Sequence, residues 1–163
     1  MLTWNIILYD KMNPVTFQIK PFDALTAFEL YELLKLRTDI FVVEQQCPYP
    51  ELDYKDYKAF HVMMYCKDEM IGCLRLLPRG VSYPEDPSIG RVAIKTSFRG
   101  KKLGTPLMKQ GIGFIKKQWR ADSIRISGQL YLKRFYESMS FQQVSEEYLE
   151  DGIPHIEMLL ELK

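Results

Sequence analysis

The sequence predicts an α/β protein in which helices flank a mixed β-sheet. Strand-like segments alternate with three segments that carry apolar residues at helical spacing, in the order β-α-β-β-β-α-β-α-β-β. Such an order packs helices against a sheet that contains both parallel and antiparallel strands. With 163 residues, of which 47% are apolar and 26% charged, the chain has the size and balance of one globular domain.

The first elements surround a turn near residue 14. Leu2–Tyr9 is strand-like, the residues Asn13-Pro14 break the chain, and Thr16–Lys20 alternates in polarity as a half-buried strand does. Asp23 is the predicted N-cap of an amphipathic helix, because apolar residues follow it at helical spacing as far as Leu36.

The later elements are separated by two long loops. An acidic loop with two prolines covers Cys47–Tyr57, and a second loop covers Pro78–Pro87. Apolar and β-branched runs between turn residues predict strands, and apolar residues three and four apart predict helices. In chain order these elements are strands Phe60–Cys66, Met70–Leu77 and Ile89–Lys95, a helix from Lys102 or Leu103 to about Trp119, strand Ser123–Ser127, helix Leu130–Met139, and strands Phe141–Tyr148 and Ile153–Leu160.

A strand, a basic glycine-containing loop and a helix start follow one another within Ile89–Met108. The loop reads Arg99-Gly100-Lys101-Lys102-Leu103-Gly104. The first N–H groups of a helix lack partners and the helix dipole adds positive charge there, so this arrangement predicts a seat for a compact anion. It matches neither the triphosphate loop G-x-x-x-x-G-K-[ST] nor the dinucleotide pattern G-x-G-x-x-G.

The composition argues against several classes of protein. There are 22 basic and 21 acidic residues, so nucleic acid is not expected as a partner. No apolar run approaches the roughly 20 residues that span a bilayer, and the N-terminus lacks a signal-peptide pattern, so we expect a cytoplasmic protein with no membrane partner. The cysteines, Cys47, Cys66 and Cys73, show no metal-ligand spacing; we expect free thiols and no metal.

The basic loop resembles the [QR]-x-x-G-x-[GA] pyrophosphate loop of the GNAT superfamily of acetyl-CoA-dependent N-acetyltransferases. Arg99 fills its first position and Gly104 its last, whereas Lys102 stands where the superfamily usually has glycine. In the ElaA-type branch of the superfamily, a lysine at that middle position is not foreign. The loop therefore points toward this branch.

Two further blocks resemble the ElaA-type branch. One is LRTDIFVVEQQCPYPELD, at Leu36–Asp53; the other combines QLYLKRFYESMSF, at Gln129–Phe141, with EDGIPHIEM, at Glu150–Met158. Ser140 stands where the pattern F-Y-x-x-x-G-F has glycine, which predicts a strained turn or a relaxed one. Residues 16–163 are expected to form one GNAT domain, and residues 1–15 an N-terminal extension of unclear role.

The resemblance implies the GNAT fold, a mixed and mostly antiparallel central sheet flanked by helices. It also implies acetyl-CoA as co-substrate and transfer of its acetyl group, by direct attack, to a primary amine of a small molecule or peptide. In this superfamily a bulged strand and the pyrophosphate loop hold the cofactor. The matching positions are Arg91, Val92, Ala93 and Ile94 in the strand, Arg99, Gly100, Lys101, Lys102, Leu103, Gly104 and Thr105 in the loop, and Gln129 and Phe135 at the last helix.

Two residues are candidates for the proton transfers. Tyr136 looks like the family's general-acid tyrosine, since a phenol pKa of about 10 suits protonation of a departing thiolate; the alternative is a tyrosine packed on the sheet beside Phe135. Glu44 is the candidate general base, because it follows an apolar run and partial burial would raise its pKa. Its alternative is a helix-terminal carboxylate paired with Arg37 or a lysine.

Contacts to the amine acceptor are expected from Arg37, Phe41, Glu51, Asp53 and His155. If the acids line the acceptor mouth, they favour a cationic amine; otherwise Glu51, Asp53 and Asp56 are solvated loop charges. His61 and His155 are either core or rim histidines or substrate contacts. The identity of the amine is not encoded in these residues, and a homodimer is left open.

Two other functions compete with an acetyltransferase. A CoA-binding regulatory module without catalysis should have lost the acid or the base, yet Tyr136 and Glu44 are both present. A nucleic-acid-binding domain could use Lys95–Arg120, in which every charged residue is basic. The near-neutral chain opposes this, as do Phe114 and Trp119, which fall near the apolar face of a predicted helix.

Overall fold

A computed structural model describes residues 7–8 and 14–163, and its strands form one sheet. The strands are β1 (Ile7–Leu8), β2 (Pro14–Pro21), β3 (Phe60–Cys66), β4 (Glu69–Leu77), β5 (Ser88–Ile94), β6 (Ser123–Gln129), β7 (Gln142–Gln143), β8 (Tyr148–Glu150) and β9 (Ile153–Glu161). Their order is β1-β2-β3-β4-β5-β6-β9-β7, with β8 also paired to β9. Every pair is antiparallel except β5–β6, which confirms the predicted mixed sheet.

Helices flank this sheet. They are α1 (Ala27–Thr38), α2 (Gly104–Phe114) and α3 (Lys133–Glu137). α1 continues as a π-helical turn at Asp39–Glu44, and α2 continues as another at Ile115–Trp119. α3 follows a 3-10 turn at Leu130–Leu132. Further 3-10 turns lie at Phe22–Ala24, Lys55–Lys58 and Thr96–Phe98. Within the described ranges, the helices are all too short or too polar to cross a membrane.

The sheet separates two apolar clusters. In β3, Val62 and Met64 belong to the larger cluster with α2 and α3, whereas Met63 belongs to the smaller cluster with α1. This alternation follows from the side-chain period of two along a strand. On the larger side α2 approaches closely, since a Cβ added at Gly111 would lie 3.0 Å from Leu76. The second half of α2 is therefore held against the sheet.

Thr26, not Asp23, caps α1, so the predicted N-cap is wrong. Thr26 Oγ1 accepts a hydrogen bond from the Glu29 N–H at 3.1 Å, and a Glu29 carboxylate oxygen accepts one from the Thr26 N–H at 2.9 Å. This capping box satisfies two donors at the helix start. Asp23 lies in the preceding 3-10 turn and caps nothing there.

Other elements differ from their predicted bounds. Leu130–Met139 is α-helical over Lys133–Glu137 alone. The predicted strand Phe141–Tyr148 is split into β7 and β8, because the Ser145 hydroxyl accepts the hydrogen bond of the Glu157 N–H at 2.8 Å and so replaces a backbone partner. Of the predicted strand Leu2–Tyr9, the pair Ile7–Leu8 joins β2, and the other residues lie outside the described part of the chain.

The parallel strands β5 and β6 are joined at one register pair, Ser88 with Arg125. The Arg125 N–H also donates to the Pro87 carbonyl at 3.0 Å. Beyond this pair the two strands separate. Because they run in the same direction, their carboxyl ends meet the loop before α2 and the turn before α3 at one edge of the sheet. The separation opens a cleft at that edge.

Ser140 follows α3 in a left-handed conformation, at φ +71°. Its N–H donates to the Glu137 carbonyl at 2.9 Å, and the Phe141 N–H donates to the Tyr136 carbonyl at 3.2 Å. Together these bonds form a Schellman motif, in which glycine is the usual left-handed residue. The turn is therefore the strained one of the two alternatives.

Replacing Ser140 with glycine is expected to stabilise the protein by about 1 kcal/mol. A left-handed residue with a Cβ costs about 1–2 kcal/mol, and the greater freedom of glycine in the unfolded chain offsets part of the difference. Tm should rise by about 2–4 °C in thermal unfolding. Ser138→Gly is the control and should lower Tm, since Ser138 is right-handed at φ −62°. A Ser140→Gly variant less stable than wild type contradicts the expectation.

Candidate active site

The cleft between β5 and β6 opens into a cavity of about 660 Å³, a volume that suits a small-molecule site. Its walls come from the two separated strands, the loop before α2, α3 and the β8–β9 turn. The predicted site residues that line it are Phe41, Glu44, Asp53, Arg91, Val92, Ala93, Ile94, Arg99, Gly104, Gln129, Phe135, Tyr136 and His155. Those that lie outside its lining are Arg37, Glu51, Gly100, Lys101, Lys102, Leu103 and Thr105.

The loop before α2 exposes the start of a helix. α2 begins at Gly104, and its N-cap residue, Leu103, makes no side-chain capping bond. Within the described residues, the N–H groups of Gly104 and Thr105 thus have no capping side chain, and Pro106 carries no N–H. Gly100 and Lys102 are left-handed, at φ +75° and +58°, which explains why glycine is usual at the position of Lys102. The loop has the features of an anion seat.

This loop is tied to the neighbouring elements. Arg99 Nε donates to the Ile94 carbonyl at the end of β5, at 3.0 Å. Phe135 of α3 packs on Gly104, where an added Cβ would lie 3.1 Å from the ring. The Lys101 ammonium lies 5.0 Å from the centroid of the Phe98 ring. The anion seat, the end of β5 and α3 therefore form one wall of the cavity.

Glu44 lies at the rim of the cavity beside this loop. Arg99 Nη1 donates to one of its carboxylate oxygens, and the Thr96 hydroxyl donates to the other at 2.8 Å. These hydrogen bonds, that of Arg99 first, lower the pKa of Glu44. The expected burial and raised pKa are wrong, since the side chain is 38% exposed. The paired-carboxylate alternative describes Glu44, with Arg99 as its partner instead of Arg37 or a lysine.

β5 contains a bulge at Arg91 and Val92. Ala93 pairs with Cys73 and Gly90 pairs with Arg75, so two residues of β5 lie opposite one residue of β4. Arg91 itself is left-handed, at φ +52°. A bulge leaves a backbone group out of the ladder, and both of its residues line the cavity. The bulge lies in the strand where the family resemblance places it.

A charge network joins this bulge to the rest of the fold. Its members are Arg37, Arg75, Arg91, Glu51, Asp53 and Asp56. Arg37, on α1, donates to one oxygen of Glu51, and Arg91 donates to the other. Arg37 is 1% exposed and Glu51 5% exposed. The two predicted acceptor contacts are thus buried in the charge network, away from the cavity lining.

Asp53 and Asp56 complete the charge network from the loop before β3. Arg75, on β4, donates two hydrogen bonds to Asp53, at 2.7 and 2.9 Å, and one to Asp56 at 3.1 Å. Burial opposes the ionisation of Asp53, but the hydrogen bonds and charge of Arg75 prevail and lower its pKa to about 2. These acids are ion-paired, so the expectation of solvated loop charge is wrong for them.

His61 is buried near the charge network. Its Nε2 lies 3.9 Å from Asp56, and burial lowers its pKa to about 4, so the ring is neutral at pH 7. His61 lies outside the cavity lining, so it is a core histidine and not a substrate contact. Among residues 7–8 and 14–163, no group of His, Cys, Asp and Glu side chains is arranged to hold a metal ion.

Tyr136 is buried beneath β6 and lines the cavity. An added Cβ at Gly128 would lie 2.9 Å from its ring, and Phe141 makes a T-shaped contact with it at 6.0 Å. Burial raises the pKa of the phenol well above its ordinary value. The hydroxyl is therefore a neutral donor at physiological pH.

Gln129 and His155 lie side by side at the opposite wall, as register partners of β6 and β9. Gln129 Nε2 donates to the Gln45 side chain at 3.2 Å. His155 is 8% exposed, and its Nδ1 lies 2.7 Å from the Ile153 carbonyl oxygen. Both residues line the cavity.

Sequence reasoning missed many of the lining residues, among them Tyr49, Arg75, Tyr83 and Ser127. Arg75 carries a signal, because a charged residue inside the apolar run Met70–Leu77 requires a buried partner. The two tyrosines lie in loops, where sequence pattern gives no direction to a side chain. Ser127 lies on the polar face of β6, which from sequence alone is expected to face solvent. In the structure, β8 covers this face.

The fold of this chain is that of the acyl-CoA N-acyltransferases. Solved structures agree. An acyl-CoA N-acyltransferase from Pseudomonas aeruginosa superposes with a TM-score of 0.83 at 38% identity, over 89% of this chain and 98% of that one. Escherichia coli ElaA superposes with a TM-score of 0.84 at 35% identity, over 90% and 99% of the two chains. The predicted GNAT fold is confirmed.

Sequence comparison gives the family. The model of the acetyltransferase (GNAT) domain matches residues 36–162. The UPF0039 protein C11D3.02c of Schizosaccharomyces pombe is 38% identical over 153 residues, which is 93% of this chain and 100% of that protein. Escherichia coli ElaA is 37% identical over 140 residues, or 85% and 91% of the two chains. The chain belongs to the GNAT acetyltransferase family, with ElaA among its relatives as predicted.

Proposed function

We propose that the protein transfers the acetyl group of acetyl-CoA to a primary amine of a small molecule or peptide. The observation that carries this proposal is the cavity between β5 and β6, which joins an anion seat, a strand bulge and a buried tyrosine. The GNAT family to which the chain belongs uses acetyl-CoA. The residues present fit this co-substrate, because the uncapped helix start suits a pyrophosphate and the cavity beside it suits the acyl arm.

On this proposal the loop from Arg99 to Thr105 binds the pyrophosphate. The uncapped N–H groups of α2 donate to phosphate oxygens, and Lys101 and Lys102 add positive charge. Arg99 is already bonded to Glu44, so a phosphate at this position shares or replaces that carboxylate. The bulge at Arg91–Ile94 offers backbone groups to the acyl arm, and Phe135 and Gln129 border it.

The reaction forms a bond between the amine nitrogen and the carbonyl carbon and breaks the bond from that carbon to sulfur. Negative charge develops on the carbonyl oxygen, where a preorganised N–H donor is worth about 3–4 kcal/mol in comparable acyl-transfer sites. The bulge of β5 supplies such a donor. The Tyr136 hydroxyl donates a proton to the departing thiolate.

A screen of amine acceptors tests this function. The protein is incubated with acetyl-CoA and one amine at a time, covering polyamines, amino sugars, aminoglycosides and peptide N-termini. Release of free CoA should depend on the amine and should match the acetylated product found by mass spectrometry. The N-acetylated form of each amine is the matched control and should release none. If calorimetry shows that CoA binds but no amine promotes its release, the protein is a CoA-binding regulatory module.

Replacing both Lys101 and Lys102 with glutamine is expected to weaken CoA binding, more at low than at high ionic strength. Each lysine should contribute on the order of 1 kcal/mol through a partly screened contact with phosphate. Calorimetric titration at two salt concentrations measures the effect. Lys116→Gln with Lys117→Gln is the control, because this basic pair follows the far end of α2. An effect that is independent of ionic strength means that Lys101 and Lys102 do not face the anion.

A further inference from the structure

The proposed reaction needs a base for the acceptor amine, and the carboxylates that line the cavity suit this role poorly. Glu44 and Asp53 are each bonded to an arginine. Glu150 accepts a hydrogen bond from the Ser127 hydroxyl at 2.8 Å and, like Asp151, is exposed at the β8–β9 turn. A carboxylate that is bonded to arginine or open to water is a weak base toward an ammonium group. Among the other lining side chains, the imidazole of His155 is of the type that most often serves as a general base.

The hydrogen bond of His155 selects one tautomer of its neutral ring. Its Nδ1 lies 2.7 Å from the Ile153 carbonyl oxygen. A carbonyl oxygen only accepts, so Nδ1 carries the hydrogen of the neutral ring and Nε2 keeps its lone pair. No hydrogen bond joins Nε2 to another residue in the part of the chain that the structure describes. The ring stacks on Tyr148, with centroids 6.2 Å apart, which fixes its plane.

His155 and Tyr136 reach the cavity from opposite faces of β6. His155 lies beside Gln129, and both line the cavity. Gly128 precedes Gln129 in β6 and therefore faces the opposite side of the sheet. Tyr136 packs against Gly128 on that side. The cleft between β5 and β6 joins the two faces. During acetyl transfer a proton leaves the nitrogen and another arrives at the sulfur, on different sides of the carbonyl carbon. The positions of His155 and Tyr136, on opposite faces of β6, match this requirement.

We propose that His155 is the general base of the acetyl transfer and that its Nε2 takes the proton of the acceptor ammonium. This inference rests on the function proposed above. Nε2 first takes one proton from the ammonium and releases it to solvent, which leaves a neutral amine that can attack. As the nitrogen–carbon bond forms and the carbon–sulfur bond breaks, the second proton leaving nitrogen passes to Nε2 and the Tyr136 proton passes to sulfur. The imidazolium then releases its proton to solvent and the phenolate takes one up, so that no further reactant is required.

The groups that face His155 are compatible with an imidazolium. They are Tyr148 and Glu150 from β8, Asp151 from the adjoining turn, Ser127 and Gln129 from β6, Glu157 with its partner Arg125 along the same face, and Arg91 across the cleft. The Glu157 carboxylate is neutralised by Arg125 at 3.1 Å, and Arg91 is bonded to Glu51. The charges that are left on this face, Glu150 and Asp151, are negative, so a transient imidazolium would not meet a like charge there.

Kinetics of His155→Asn and His155→Gln test the proposal. Asparagine keeps a donor near the position of Nδ1 and removes Nε2, whereas glutamine keeps an amide near Nε2. With a strongly basic amine, kcat/KM at pH 7 is expected to fall about 10²–10⁴-fold, while the affinity for CoA measured by calorimetry changes little. With a weakly basic amine, which is already unprotonated, the fall should be smaller. With the weakly basic amine, whose own titration adds no limb in this range, the acid limb of the wild-type profile of kcat/KM against pH should disappear in both variants.

His61→Gln is the matched control, because His61 is the other of the two histidines and lies outside the cavity lining; it should keep the acid limb. The role of His155 is overturned by an equal loss with all amines or by an acid limb that survives in its variants with the weakly basic amine. A wild-type profile without an acid limb on a weakly basic amine overturns it too, and needs no variant to fold. Wild-type protein that binds CoA but acetylates no amine overturns the proposed function as well.

Discussion

Replacing Tyr136 with phenylalanine is expected to lower kcat by about 10²–10⁴-fold, the usual worth of general acid catalysis. The substitution keeps the ring, which packs against Gly128 and Phe141, and removes the proton donor alone. The affinity for CoA should therefore stay close to that of wild type. Steady-state kinetics on a good acceptor and calorimetry with CoA measure the two quantities.

The pH profile separates this role from packing. Burial raises the pKa of Tyr136, and the same cavity raises the pKa of the departing thiol, since both anions lose solvent. Proton donor and acceptor thus shift in the same direction. The phenol acts when protonated, so wild-type kcat should hold to at least about pH 10 and fall only above it. Tyr136→Phe should lack that fall.

Tyr57→Phe is the control for loss of a hydroxyl elsewhere, because Tyr57 is 64% exposed and lies outside the cavity lining. It should leave kcat near that of wild type. A Tyr136→Phe variant that turns over within about threefold of wild type would mean that water or another residue is the acid. Tyr136 would then be a packing residue of α3.

The elements around the cleft were predictable because their signals are local. Phe60–Cys66 has its predicted bounds, since an apolar run before the polar turn at Lys67 and Asp68 permits one strand. The anion seat follows from the order of strand, basic loop and helix, which neighbouring residues alone determine. The turn at Ser140 was indicated because the family pattern has glycine there; Lys102 is left-handed at another such position, but its conformation was not predicted.

The partners of charged residues were not predictable, because they lie far away in sequence. Glu44 follows an apolar run and looks half-buried, yet its partner Arg99 is 55 residues further on and holds it at the surface. Glu51 and Asp53 lie in a proline-containing loop and look solvated. Their arginine partners, Arg37 on α1, Arg75 on β4 and Arg91 on β5, belong to three elements that only the tertiary fold brings together.

Replacing Glu51 with glutamine is expected to lower the free energy of unfolding by about 3–5 kcal/mol, the usual cost of removing one partner from a buried ion pair. Glutamine keeps the size and hydrogen-bonding oxygen of the side chain but removes the charge that Arg37 and Arg91 share. Three arginines of the charge network then face two carboxylates in a poorly hydrated place. Tm should fall by about 6–20 °C in a domain of this size.

Glu69→Gln is the matched control, because it breaks an ion pair with Lys95 in which both side chains are about half exposed, at 48% and 46%. Exposed pairs contribute about 0–1 kcal/mol, so this variant should unfold within a few degrees of wild type. Denaturant unfolding of both variants measures the difference at constant m-value. If Glu51→Gln is no less stable than Glu69→Gln, Glu51 does not hold α1 and the bulge of β5 together. In that case the left-handed conformation of Arg91 would have to be maintained by the β4–β5 ladder alone.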